Sequence, residues 1–455
     1  MGHRSPSRLA IEIWQAGVAA VDSERLVRRH VAETPDAVLL CGESIPKDDL
    51  GKIVVIGAGK AGAGMAAGFE RAFSDAFLQD RVSGWVNVPA DCVRQLKRIH
   101  LHPARPAGVN EPTEDGVAGT RRILSLVSSL GPRDVCVVLI SGGGSALLPC
   151  PIDRLTLQDK LAVTQLLMQR GASIGELNCI RKRLSAVKGV KLAKAVTAGR
   201  TITLIISDVI GDPLDVIASG PTTPDRSSPG DALEILRRFA PRADDVPASV
   251  WRVLEQAAND ARNHDTVEAN WDRVRNVIIG NNVVAVEAAA KRARELGLRT
   301  VSEGSDNAGQ ACDVGRQLAE RCLELRENSA PGQAVCLLSG GEPVVTLAET
   351  SQPRKGGRNQ ELVLAAAERL WAERLEGLVI LSGGTDGEDG PTNAAGAYFD
   401  GDVRRAAVQA GLTPGPFLAI NNSYPFFAQT GGLLLTGPTQ TNVMDLRVAI
   451  IPPPA

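Results

Sequence analysis

Along most of the chain, uninterrupted apolar runs of five or six residues alternate with longer stretches whose apolar positions recur at helical spacing. A short apolar run bounded by turn residues reads as a strand covered on both faces, and its alternation with helices predicts βαβ units in a parallel sheet. The pattern places strands at 52–56, 84–88, 135–140, 201–206, 274–279, 335–338, 378–381 and 446–451. Helices are expected at 61–73, 114–130, 157–170, 179–196, 283–296, 310–326 and 360–374. A further amphipathic helix over 7–30 carries Leu9, Ile13, Trp14, Val18 and Val21 on one face.

This alternation is interrupted at 220–230 (GPTTPDRSSPG), and Pro241, Pro247 and a polar stretch over 256–273 extend the break. A chain of 455 residues exceeds what one hydrophobic core usually holds. Two domains are therefore expected, 1–245 and 246–455, with a cleft between them and with the helix at 7–30 packing on the second.

Composition sharpens the class. Aromatic residues make up 3% of the chain while glycine occurs 46 times, so the core is aliphatic with closely approaching backbones, as suits helices on parallel sheets. A formal net charge of −2 provides no bulk field to recruit nucleic acid or an anionic membrane, and neither is expected as a partner. The cysteines at 41, 92, 136, 150, 179, 312, 322 and 336 show no CxxC pair and read as reduced thiols rather than disulfides or zinc ligands. No apolar stretch is long enough to span a bilayer, and Glu12, Asp22 and Glu24 are out of place in a signal or transit peptide. A cytoplasmic location is expected.

Three strands end alike, as CVVLI-SGGGS, VCLL-SGGEP and VIL-SGGTDG, and a fourth ends as KIVVI-GAGKAG. Ligands bind beyond the carboxyl ends of strands in open parallel sheets, so these turns are candidate phosphate cradles. Gly57, Gly59 and Gly62 match the spacing of the dinucleotide fingerprint, but Asp80 precedes the second strand and Asp91 lies past its end, where an acidic residue for a ribose is wanted. No Ser or Thr follows Lys60, so the loop is not a Walker A loop either. What remains is a lysine set among backbone N–H groups at a helix entrance, an anion site or else a tight turn with a solvated lysine. Ser141, Gly142, Gly143, Gly144 and Ser145 lack side chains at three consecutive positions, which lets N–H groups converge as a nest. A close-packed turn is the plain alternative.

Arg358 stands at the entrance of the helix at 360–374, where its planar fork suits phosphate or carboxylate oxygens, or else a structural carboxylate. Asp208 and Asp386 fall at or just past strand ends, where a carboxylate holds Mg²⁺ or accepts a hydroxyl proton, or merely forms an Asx turn. The run Arg181, Lys182, Arg183, Lys188, Lys191 and Lys194 contains no acid and reads first as a solvated face, second as an anion-facing stripe.

Taken together, VVIGAGKAG, LISGGGSALL, NCIRKRLSAVKG, SDVIGDPLDVIASGPT, LSGGEP, GGRNQELVLA, GGTDGEDGPTNAAGA and TGPTQTNVMDL occur in an order that resembles the class II glycerate 2-kinases, whose C-terminal part is the MOFRL domain. The resemblance covers about 54–451. It implies an α/β fold with a Rossmann-like N-terminal domain and a smaller α/β C-terminal domain, with the active site in the interdomain cleft. It also implies transfer of phosphate from ATP to D-glycerate with Mg²⁺, giving 2-phosphoglycerate. Lys60, Arg358 and Asp208 then correspond to the catalytic lysine, catalytic arginine and acidic site, with Asp208 the metal ligand. Gly57, Gly59, Ser141, Gly142, Gly143, Gly144, Ser145 and Asp386 would hold the nucleotide. A homodimer is left open. Gln440 and Met444 stand where the pattern has Gly and Asn, and Val190 where it has a second Gly, so the backbone at 190 is expected to differ. Two other functions stay open from the residues: an NAD(P)H-dependent hydroxypyruvate reductase, invited by the GAGKAG string, and a non-catalytic sugar-phosphate sensor.

Overall fold

In the computed structural model, which describes residues 5–109, 111–260, 271–330 and 332–454, the chain divides into two units. One is Ser23–Ile279; the other joins Met1–Asp22 to Gly280–Ala455.

The first unit opens with a small antiparallel sheet of β1 (Val31–Glu33), β2 (Ala37–Leu40) and β3 (Glu43–Pro46). Its main sheet contains β4 (Ile53–Ala58), β5 (Val82–Pro89), β6 (Ile99–Arg105), β7 (Val135–Ile140), β8 (Arg200–Ile206) and β9 (Val274–Gly280), in the order β6-β5-β4-β7-β8-β9. β4 to β8 pair in parallel. Every residue of β4 and β7 is buried, which explains why these strands read as unbroken apolar runs. Successive strands are added to one side of β4 and then, from β7, to the other, so the sheet has its topological switch point between β4 and β7. The helices Leu157–Gln169, Ile174–Arg183, Pro229–Phe239 and Ala248–Asn259 share a separate apolar cluster around Leu167, Ile180, Leu236 and Leu254.

The second unit is not built on a parallel sheet. Its strands are β10 (Arg299–Ser302), β11 (Val335–Gly341), β12 (Val379–Gly384), β13 (Gly396–Asp400), β14 (Leu433–Leu434) and β15 (Asp445–Ile451), ordered β10-β11-β15-β12-β13-β14. Only β10 and β11 pair in parallel. β15 returns from near the chain's end and inserts between β11 and β12, antiparallel to both. Alternate residues of these strands enter two cores. Cys336, Leu338, Leu381 and Val448 pack with Trp14 and Ala289, whereas Leu337, Ile380 and Ala449 pack with Leu362 and Ala366.

The helix expected over 7–30 is two helices, Pro6–Ala20 and Ser23–His30, and only the first belongs to the second unit. The division falls at 279/280 rather than at 245/246, because the composition break is a folded loop and not a linker. Asp225 within it is buried and pairs with Lys182 and Arg183, and Thr222 and Asn276 exchange hydrogen bonds that tie the loop to β9. Residues 261–270 of the polar stretch lie outside the described residues.

The helix expected over 179–196 also breaks, into Ile174–Arg183 and Lys191–Ala195. At the break, Gly189 and Val190 are both left-handed, with φ of 57° and 69°. Val190 adopts the left-handed shape despite a β-branched side chain. Gln440 and Met444 likewise have φ of 60° and 69°. All three departures from the family pattern put residues that disfavour the left-handed region where Gly or Asn would adopt it readily.

No disulfide joins any of the cysteines among the described residues, and burial pushes the Cys136 and Cys336 thiols up to about 12, making them inert packing groups. Among the described residues no helix is long and apolar enough to cross a membrane.

Candidate active site

The switch point of the first unit brings the two glycine turns predicted there into contact. The Lys60 N–H donates to Gly142 O (2.8 Å), the Ala61 N–H to Ser141 Oγ (3.0 Å), and the Ser141 N–H to Ala58 O (3.2 Å). Gly59 has φ of 150°, and a Cβ there would lie 2.0 Å from Ser141 Oγ, so only glycine permits this approach. Ser141 is thus a buried latch between the turns; its oxygen already serves as an acceptor. Gly143, left-handed at φ 76°, lies between two cations. A Cβ on it would stand 3.5 Å from Lys60 Cγ and 3.7 Å from a guanidinium nitrogen of Arg105, at the end of β6.

Ser145 faces a different partner. Lys188 donates to Ser145 O (2.8 Å) and to Ser145 Oγ, and Ser145 Oγ lies 3.1 Å from Ser219 Oγ. Burial drives the Lys188 ammonium well below its ordinary pKa. The basic run is therefore not a solvated face. Lys182 and Arg183 neutralise Asp225, Lys191 caps the carbonyls of Lys182 and Ser185, and Lys188 holds the second glycine turn. Asp208 is partly buried just past β8, on the carboxyl edge of the same sheet. Among the described residues no three His, Cys, Asp or Glu side chains form a metal cluster. One carboxylate supplemented by nucleotide phosphates and water is a donor set that Mg²⁺ accepts, so Asp208 fits that role.

Antiparallel pairing builds the site of the second unit. Because β15 runs opposite to both neighbours, its first residue, Asp445, is aligned with the last residues of both SGG strands, Gly341 and Gly384. Asp445 is fully buried. Arg358, first residue of the helix Arg358–Arg369, reaches it with Nε (2.8 Å) and Nη2 (3.0 Å), and gives Nη1 to Glu342 Oε1 (2.6 Å). Burial alone would lower the Arg358 pKa, but Asp445 and Glu342 together overcome it and raise the pKa. The side chain remains 32% exposed. Three of the five guanidinium N–H groups are engaged in these bonds. Beside it Arg447 is buried, its pKa pulled down to about 10 by desolvation.

The helix entrance itself is capped from a distance. Asp389 accepts the N–H groups of Asn359 (3.0 Å) and Gln360 (2.9 Å), satisfying two orphan donors. Burial raises its pKa to about 6 against the pull of those two bonds. Asp389→Ala should lower stability by about 2 kcal/mol in urea denaturation, because both donors lose a buried partner. The raised value also fixes a sign. The folded state binds the proton more tightly than the unfolded chain between about pH 4 and 6, so this group's contribution to stability declines as pH rises through that window. Asp389→Asn removes that part of the pH dependence.

Asp386, by contrast, lies in a turn of its own: its carboxylate accepts the Glu388 N–H (3.1 Å) and its carbonyl accepts the Thr439 N–H. This is the Asx-type turn weighed for it in the sequence. The residues that the sequence did not single out are Arg105, Lys160, Glu342, Asp389 and Asp445. Glu342 and Asp445 lie inside the LSGGEP and NVMDL strings, but nothing local marks them as partners of Arg358.

The fold and these two glycine-framed basic turns define a class, an α/β protein with a Rossmann-ordered unit and a mixed-sheet MOFRL unit. Family models agree: a domain of unknown function (DUF4147) matches 9–255, and the MOFRL family matches 335–445. The chain belongs to the glycerate 2-kinase family. Curated relatives include a glycerate kinase of Danio rerio, 37% identical over 97% of both chains. A glycerate 2-kinase of Pyrococcus horikoshii is 36% identical, again over 97% of both, and a putative hydroxypyruvate reductase of Agrobacterium vitis is 37% identical over 96% of this chain and 93% of its own. The crystal structure of a glycerate kinase from Thermotoga maritima superimposes with a TM-score of 0.82, at 33% identity, covering 98% of this chain and 99% of that one.

Proposed function

We propose that this chain transfers the γ-phosphoryl group of ATP to O2 of D-glycerate, producing ADP and 2-phosphoglycerate. The observation that carries this reading is Lys60 beside two interlocked glycine turns at the switch point of the first sheet, in a chain of this family. A bond forms between O2 and Pγ, the bond from Pγ to the β,γ-bridging oxygen breaks with its electron pair kept on that oxygen of ADP, and the hydroxyl proton is released to water. Little covalent work falls to the protein, whose task is positioning and charge stabilisation. Gly59 and Gly142–Gly144 offer main-chain N–H groups to phosphate oxygens, and Lys60 sets its ammonium against the transferring group. Arg358, in the second unit, is assigned the part of the catalytic arginine, its two remaining N–H groups suited to anionic oxygens. Mg²⁺, held through Asp208 and the phosphates, would neutralise charge on the nucleotide.

A reductase reading finds less support in the residues. The end of β5, where a dinucleotide fold wants an acid for the ribose, carries Asn87, which is buried and donates to Leu147 O (2.8 Å) and Thr120 Oγ1 (3.3 Å). The test is an ADP-release screen over D-glycerate, L-glycerate, tartronate and hydroxypyruvate, with the product's phosphate position read by ³¹P NMR. The expected product is 2-phosphoglycerate from D-glycerate. A 3-phosphorylated product, or NADH oxidation by hydroxypyruvate without ATP, would overturn the reading.

A further inference from the structure

Beneath the second glycine turn of the first unit lies a cavity of about 180 Å³. Gly143, Ser145 and Ala146 form one wall; Leu157, Lys160, Leu161 and Thr164, one face of the helix Leu157–Gln169, form another. Arg181 and Lys188 complete its polar lining, and no carboxylate is among the lining residues. Lys188 is engaged with Ser145. Lys160 differs: it is 8% exposed and its Nζ has no hydrogen-bond partner. Burial pushes its ammonium down to about 8, so it still carries its charge at pH 7. An unpaired buried ammonium beside the Arg181 guanidinium is costly and is tolerated where an anion completes the site.

At about 180 Å³ the cavity has room for a three-carbon acid. The Lys160 ammonium and the Arg181 guanidinium, with no carboxylate among the lining residues, suit the carboxylate of a small acid.

We infer that this cavity is the subsite for the carboxylate of the acceptor acid, with Lys160 as its specificity-determining residue. The inference rests on the kinase reading for the identity of the acid. Gly143 borders both the cavity and Lys60, so an acid anchored by its carboxylate presents the neighbouring C2 hydroxyl, rather than a remote one, towards Lys60.

The test is Lys160→Met in the full-length protein, with D-glycerate binding measured by titration calorimetry at pH 7 without nucleotide. Glycerate affinity should fall about 10- to 100-fold, the loss expected for a charge-assisted contact, while ATP–Mg²⁺ affinity is unchanged. The melting temperature without ligand should rise, because an uncompensated buried charge has been removed, and D-glycerate should no longer raise it as it does in the wild type. Arg181→Gln should weaken glycerate binding in the same direction. Glycerol, which lacks the carboxylate, should bind neither protein. Unchanged glycerate affinity in Lys160→Met, or a loss of ATP affinity in its place, would overturn the subsite; a lower melting temperature with glycerate binding intact would make Lys160 structural. The binding arm needs no turnover. Wild-type protein that binds D-glycerate through Lys160 but phosphorylates no hydroxy acid would sink the kinase reading and leave the carboxylate site standing.

Discussion

Arg358→Ala is expected to lower kcat on the order of 10²- to 10³-fold and, separately, to destabilise the protein by about 3–5 kcal/mol. Two different losses are combined here. The catalytic one is the removal of the N–H groups assigned to an anionic oxygen. The structural one concerns Asp445, which is fully buried in register with Gly341 and Gly384 and receives both Nε and Nη2 of Arg358. Without the guanidinium, that carboxylate is a buried charge stripped of its bidentate partner. Asp445→Asn in the Arg358→Ala background separates the two. The double variant should regain much of the stability in urea denaturation, since the orphaned charge is gone, but none of the turnover. If the double variant recovers turnover as well, Arg358 is a structural partner of Asp445 and no more.

Lys60→Ala should also lower kcat on the order of 10²- to 10³-fold, with the KM for D-glycerate and the thermal midpoint changing little. The contrast with Arg358 follows from what holds each loop. The turn around Lys60 is fastened by main-chain and serine contacts that alanine preserves: the residue 60 N–H to Gly142 O, the Ala61 N–H to Ser141 Oγ, and the close approach at Gly59. Truncating the side chain therefore removes the ammonium and leaves the cradle. An interaction made mainly in the transition state lowers kcat and kcat/KM together. Near wild-type kcat in Lys60→Ala, or a raised KM with kcat intact, would move Lys60 from the chemistry to substrate binding.

Much of the first unit was legible in the sequence because its strands are buried on both faces and its turns repeat a recognisable glycine pattern. The apolar runs at 52–56 and 135–140 correspond to β4 and β7, and GAGKAG and SGGGS mark the two turns that interlock. β1 to β3, β6, β10, β13 and β14 were missed. β6 carries three polar side chains among its seven residues, and β10 and β14 are very short, so no continuous apolar run announces them. The antiparallel course of β15 could not be read either, since a run of apolar residues looks the same in both chain directions. The basic stretch from Arg181 to Lys194 misled for a related reason: its neutralising carboxylate, Asp225, comes from a loop some forty residues on.

By itself the sequence determined that a cation stands at each of two glycine-rich turns, Lys60 and Arg358, because those properties are local: a strand end, a backbone without side chains, a cation at a helix entrance. Only the tertiary structure decided what each cation faces. Asp445, 87 residues beyond Arg358, meets it because β15 folds back between two strands that end alike, and Lys160 is an unpaired charge because two helices and a glycine turn close over it. Charge compensation and desolvation depend on neighbours distant along the chain, and those are settled by packing, not by pattern.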